Sequence, residues 1–175
     1  MQNLQDVFFL QTNGSGVLSF ATPSSGANTP AFFAHKSTSQ TFADNTLTKI
    51  QFDSELFDSD SAYDNATNYR FTPTAGKYFI FAAVMLFSGT TIQRQIITLK
   101  KNGTNIVYQQ LTFEAFYLNA NDGESLTLST IDTANGTDYY EVFASQNNTG
   151  NGTVTSDYNA TERYTYFGAF KLIGA

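Results

Sequence analysis

Turn signals recur along this chain at short intervals, and the apolar runs between them are short and rich in aromatic and β-branched residues. Asn102-Gly103 is the sharpest signal, set between Ile96-Ile97-Thr98-Leu99 and Ile106-Val107-Tyr108. Asn and Gly both accept the positive φ that a type I′ hairpin turn requires at its two central positions. Asp122-Gly123 and Asn135-Gly136 repeat the pattern. No segment between them carries caps and a 3.6-residue apolar period, so the chain must pair strands.

The runs can be read in order. Residues 1–29 stand apart: a short apolar piece, the turn Asn13-Gly14-Ser15-Gly16, a short strand over 17–21, and a Pro/Gly/Ser linker to Thr29. From Pro30 strands are expected over 31–36, 47–52, 68–72, 77–87, 91–100, 106–108, 113–118, 126–131, 138–145 and 163–173. The strongest run, Lys77 to Phe87, is apolar at nearly every position. A helix is conceivable there, but its composition and the flanking Gly76 and Gly89 favour a buried strand, paired with 91–100 through Ser88-Gly89-Thr90. Asn147 to Asn159 reads as a polar, Gly-rich loop with no core content. About ten short strands separated by turns imply a sandwich or barrel.

Composition supports this class. The chain has 17 Phe, 10 Tyr and no Trp, and aromatic side chains suit a pleated, half-buried surface. Its 175 residues suit one domain with a short appendage. With no cysteine, disulfides and thiolate metal sites are excluded. Nine Lys and Arg residues are scattered in a chain of net charge -6, so neither nucleic acid nor an anionic membrane surface is an expected partner. No stretch reaches the ~20 apolar residues needed to span a bilayer. The start carries Asp6, no Lys or Arg, and an apolar run too short for a signal peptide, although the low charge suits an exterior protein. A virus particle assembled in the cytoplasm reconciles the two, as does trimming of a longer chain.

Chemistry finds few footholds. His35 is the single histidine, lies in an expected strand and has no nucleophile motif nearby; it reads as a strand or interface residue. Asp58, Asp60 and Asp64, with Asp53 and Glu55 upstream, are the one cluster hard enough for calcium. An EF-hand loop started at Asp58 would place Tyr63 and Tyr69 where Gly and Glu are needed, so the plain reading is a solvated acidic loop. Asp138 and Glu141 differ by three positions and point to opposite faces of a strand, which is unsuited to paired-carboxylate chemistry. No cofactor and no catalytic residue are expected. Tyr158, Asn159 and Tyr164 border the long loop and could stack on and hydrogen-bond a sugar, or be plain variable surface.

A family resemblance runs through Pro30 to Ile173. Pro30-Ala31-Phe32 opens the domain. Tyr63-Asp64, Phe71-Thr72-Pro73 and Gly76-Lys77-Tyr78-Phe79-Ile80-Phe81 follow. Leu99-Lys100-Lys101-Asn102-Gly103, Asp138-Tyr139-Tyr140-Glu141-Val142 and Phe167-Gly168-Ala169-Phe170-Lys171-Leu172 complete the series. In this order they resemble the globular head of the complement one-q family, which shares its trimeric jelly roll with tumour necrosis factor. The resemblance implies an all-β, ten-stranded antiparallel jelly-roll sandwich with a short N-terminal arm. It also implies a homotrimer in which Phe79, Phe81, Tyr166 and Phe170 belong to the core or the subunit interface.

The arm carries a second resemblance. Leu10 to Ala21 is similar to a segment of bacteriophage fibre and head-decoration proteins that precedes a terminal globular domain. It implies a virion-surface protein, with Phe8, Phe9, Leu10, Val17, Leu18 and Phe20 docking the arm on other virion proteins such as a major capsid or fibre protein. Two roles compete: a capsid decoration or cement protein, and a fibre tip recognising a host surface glycan. A secreted carbohydrate-binding module is the alternative of a different class.

Overall fold

The computed structural model describes residues 9–12, 14–16, 18–21, 27–88, 91–112, 123–150, 152–156 and 161–173. Its strands form two packed antiparallel sheets and a separate hairpin. The hairpin pairs β1 (Phe9–Thr12) with β2 (Leu18–Ala21) across Gly14 and Gly16, both at positive φ.

One sheet is built on β9 (Gly76–Phe87), which is hydrogen-bonded along both edges. On one edge lies β12 (Gly123–Ala134); the other is shared by β15 (Tyr166–Lys171), paired with Tyr78–Ala83, and β14 (Val154–Ser156), paired with Leu86–Phe87. Outward from β15 come β3 (Ala31–His35) and β6 (Ser54–Asp58), and β4 (Thr41–Phe42) pairs with β14. The second sheet centres on β13 (Tyr140–Asn148), flanked by β10 (Ile92–Lys101) and then β11 (Thr104–Thr112). On its other edge sit β5 (Thr48–Lys49), β7 (Tyr63–Asp64) and β8 (Arg70–Phe71).

Period-two alternation explains which residues fill the space between the sheets. Along β9 the side chains Tyr78, Ile80, Ala82, Val84 and Leu86 are buried inward. From the facing sheet come Ile97 and Leu99 of β10 and Tyr140, Val142 and Ala144 of β13. An aromatic cluster closes the middle: Phe32 stacks on Tyr63 at 4.8 Å and meets Phe167 edge-on at 5.0 Å, and Phe71 lies against Phe32, Tyr78 and Tyr140.

Several expectations are corrected. The chain does not fold Lys77–Phe87 back on 91–100 as a hairpin; the connection carries it into the opposite sheet, where β10 pairs with β11 and β13. Tyr69 and Arg163 adopt φ of 49° and 54°, so neither can belong to an extended strand, and β8 and β15 start after them. The strand expected over 47–52 shrinks to Thr48–Lys49, because Gln51 N–H is taken by the Gln40 side chain at 2.9 Å. The acidic stretch contains β6, and the expected strand 113–118 lies outside the described residues.

The segment expected to lack core content is also corrected. β13 continues to Asn148 in the same parity, and Gln146 and Asn148 are buried. Their amides stand in for apolar packing by supplying hydrogen bonds. Asn148 Nδ2 donates to Gln146 Oε1 and Gly152 O, while Asn148 Oδ1 accepts from Gly150 and Gly152 N–H.

At the opposite end of the sandwich two hairpin turns are locked together. The Asn102 amide donates to Asp138 Oδ1 at 2.7 Å and accepts from Tyr139 N–H at 2.9 Å. Asp138 Oδ2 takes Asn135 N–H, and Lys101 bridges Asp138 and Asp132 at 3.1 and 2.9 Å. The Asn102 amide, against a burial penalty, holds the Asp138 carboxyl below its usual range, helped by Asn135 N–H and Lys101. Burial opposes ionisation of Asp132, but the Tyr140 hydroxyl and Lys101 outweigh it and lower its pKa too. Lys101 is raised: burial works against its charge, and the hydrogen bonds to Asp132 and Asp138 overcome that.

Two outcomes follow. Phe167→Ala, at the fully buried centre of the aromatic cluster, should cost about 3–5 kcal/mol with an unchanged m-value in urea. For the end lock the sign is set by depressed carboxyls, whose contribution is present above the ordinary carboxyl value near ~3.9 and lost as pH falls through the lower folded values. The raised Lys101 contributes below its ordinary value and loses that contribution only as pH climbs through the higher folded one. Asp138→Asn should therefore lower the melting temperature at pH 7, and the gap to the parent should shrink as pH drops below about 4; a gap independent of pH would remove the ionic part of the account.

Candidate interaction surfaces

The inward face of the β9 sheet is core. Its outward face is also apolar, and the register shows how. Three rows of directly paired residues cross the sheet. The first is Ile131–Phe79–Phe170–Ala31; the second Ser129–Phe81–Gly168–Phe33–Phe57; the third Thr127–Ala83–Tyr166–His35–Ser54. No Asp, Glu, Lys or Arg occurs in them.

The rings of these rows touch. Phe79 meets Phe81 at 5.7 Å and Phe170 at 5.4 Å; Phe33 stacks on Tyr166 at 5.3 Å and lies 6.2 Å from Phe81. Gly168 makes this contact possible. It sits between Phe81 and Phe33 in the middle row, and a Cβ there would come 2.5 Å from Phe81 Cζ. The absent side chain lets the Phe81 ring lie across β15. Most of these ring pairs are tilted, with Phe33 and Tyr166 stacked. Ile131, Phe57 and Phe170 are 61%, 50% and 36% exposed. An apolar face of this kind is a candidate interaction surface.

All four residues singled out from sequence, Phe79, Phe81, Tyr166 and Phe170, lie on this outward face and none in the core cluster. The sequence reading omitted Phe33, Phe57 and Ile131, whose place depends on pairing across strands rather than on their own segments. Beside the patch, Phe81, Tyr166, Thr127, Ser129 and Gln109 line a depression of about 420 Å³. His35 lies in the third row between Tyr166 and Ser54, 7% exposed, its Nδ1 within 3.1 Å of Lys36 O.

The other sequence candidates are not drawn together. Asp58 accepts from Tyr63 N–H, and Asp60 is exposed. Asp64 accepts from the backbone N–H groups of Thr67, Ala66 and Asn68, led by Thr67, which hold its carboxyl down at about 2. Asp53 is committed to Lys36, Ser37 and Thr38. Among the described residues no three His, Asp or Glu side chains gather as metal ligands. Tyr164 is half-buried beside β15, whereas Tyr158 and Asn159 lie outside the described residues. So do Phe8 and Val17 of the arm; Phe9 and Leu10 fall in β1, and Leu18 and Phe20 in β2.

No protein family's sequence profile matches the chain, and no curated protein matches it. Solved structures do. The chain is similar to Eiger TNF from S. frugiperda at 11% identity and a TM-score of 0.59, covering 83% of this chain and 93% of that one. It is similar to the globular domain of zebrafish complement 1qA protein at 14% identity and a TM-score of 0.54, covering 82% and 97%. At these identities the likeness is one of fold: this chain is a jelly-roll sandwich of the kind found in tumour necrosis factor and complement globular domains.

Proposed function

We propose that the chain is a non-enzymatic, homotrimeric surface module of a bacteriophage particle, of the capsid-decoration or head-fibre type. The aromatic outward face of the β9 sheet carries this reading. Its occupant is two further copies of the same face. The fold is shared with complement and tumour necrosis factor domains, and three copies about one axis bury an apolar face in a closed assembly with no unpaired patch left over. The centre of the face holds Phe and Tyr anchors without a formal charge, the composition that concentrates binding energy at an interface core.

The virion assignment rests on the arm. Its self-paired hairpin β1–β2 belongs to neither sheet of the head, which suits a segment that docks on a separate partner. Its sequence resembles the segment preceding terminal domains of phage fibre and decoration proteins. The particle surface is the corresponding location, and neighbouring virion proteins are the corresponding partners.

Light scattering of the purified chain should give three times its 19.3 kDa mass. Phe81→Arg and Ile131→Arg should each give a folded monomer with unchanged far-ultraviolet circular dichroism. Gly168→Ala should weaken the trimer by displacing the Phe81 ring. A parent protein that stays monomeric at tens of micromolar would sink the trimer. A trimer that fails to decorate particles stripped of it, with or without residues 1–29, would remove the virion role and leave the oligomer standing.

A further inference from the structure

On the opposite side of the sandwich, the outer face of β10, β11 and β13 holds a polar depression of about 550 Å³ lined by Asn45, Gln93, Arg94, Gln110, Thr112 and Asn147. We propose that it binds a saccharide through a sugar ring bearing a carboxylate.

The backbone builds this site. Arg94 pairs with Thr112 on one side and Asn147 on the other, so three polar side chains form one row across three strands. Gln93 is the extra residue of a β-bulge: Ile92 pairs with Asn148 and Arg94 with Asn147, leaving Gln93 without a partner position. A bulge re-aims side chains and recurs beside functional sites. Here it brings Gln93 into the lining next to Arg94. Asn45 forms the wall. Its φ of 51° is a left-handed conformation that asparagine tolerates, and its N–H is tied to Gln146 O at 2.7 Å. Its amide is oriented from both ends: Oδ1 accepts from Arg94 Nη2 at 2.8 Å, and Nδ2 donates to Asp44 Oδ2 at 2.7 Å.

The chemistry of the lining selects the ligand. Four planar amides and a hydroxyl offer the donors and acceptors that sugar hydroxyls use. Arg94 adds a fixed charge with a fork geometry suited to a carboxylate. Among the described residues no Asp or Glu lines the depression, and the described ion pairs are formed by Lys36, Lys49 and Lys101. Arg94 brings its charge to this lining, where its Nη2 is held by Asn45 Oδ1, and no described carboxylate pairs with it. A sugar-stacking platform lies one step along β11. Tyr108 is half exposed on the same face as Gln110, two residues or about 7 Å away. Its hydroxyl donates to Gln110 Oε1 at 2.6 Å, and Gln110 Nε2 donates to Thr112 Oγ1 at 3.1 Å, which orders the row. The net charge of -6 does not prevent this, because contacts inside a Debye length decide the local field. The site stands on the single-chain fold and does not depend on trimer formation.

The test is a titration of the isotope-labelled full chain, followed through side-chain amide resonances. The probes are methyl glucuronide and the methyl glycoside of N-acetylneuraminic acid, with methyl glucoside and sodium acetate as controls. At least one acidic glycoside should shift Asn45, Gln110 and Asn147 saturably, about tenfold more tightly than either control, as expected for one charge-assisted contact. Arg94→Gln should weaken it about tenfold and Arg94→Lys by less, since a lysine keeps the charge and loses the fork. Tyr108→Ala should weaken it several-fold with the backbone spectrum unchanged. Equal binding of acetate reduces the site to an anion contact, and equal binding of methyl glucoside removes the acidic class. No saturable shift at these residues, or a shift that survives Arg94→Gln, overturns the proposal.

Discussion

β9 is apolar on both faces, and the rest of the structure answers to that. A strand bonded along both edges has no backbone left to satisfy, so its demands are those of its side chains. The inward set, Tyr78, Ile80, Ala82, Val84 and Leu86, is met by the second sheet and makes the core. The outward set, Phe79 and Phe81, is met only in part, by Phe33, Tyr166 and Phe170 from neighbouring strands. Core formation and the unfinished outer face thus come from the same twelve residues. A polar outward set would have produced an equally good sandwich with no reason to associate.

Low formal charge shifts the burden of polar satisfaction onto amides. Both ends of the sandwich show it. At one end Asn102, Asn135 and Asp138 tie two hairpins together, with Lys101 as the counter-charge. At the other, Gln146 and Asn148 continue the inward parity of β13 past its last apolar residue, Ala144, and both donate to Gly152 O after the strand. The outward residue between them, Asn147, enters the Arg94 depression. Alternation alone therefore assigns neighbouring amides to two different tasks, turn closure within and ligand contact without.

This explains what was legible in the sequence. β3, β9, β10 and β13, with the Asn102-Gly103 and Asn135-Gly136 turns, are visible because alternation and turn chemistry are local. The two-residue strands β4, β5, β7 and β8 have no period to detect. The passage from β9 into the opposite sheet could be read as a hairpin because both flanks look alike in sequence. Asn148 reads as loop when polarity is equated with exposure, yet it is buried. The aromatic face was half visible: the rings of β9 and β15 could be named, but Phe33 and Phe57 join it only through register. The polar depression was invisible, since its residues lie in four segments and Gln93 enters through a bulge.

The two surfaces do not compete. The aromatic rows and the Arg94 row lie on the outer faces of different sheets, and β11 reaches both, with Gln110 in the polar depression and Gln109 in the one beside the rings. A trimer closed through the aromatic rows turns those faces toward the axis and leaves each β10–β11–β13 face turned outward. Three equivalent depressions on one rigid body would then meet a polymeric surface together. A single shallow polar site binds a sugar ring weakly, because hydroxyl–amide exchanges with water gain little each. Linking three converts the second and third encounters into intramolecular ones, so useful attachment needs no stronger contact, only spacing that matches the polymer. On this account the apolar half of the molecule makes its polar half effective, and loss of the trimer should damage attachment to a surface far more than binding of a single sugar.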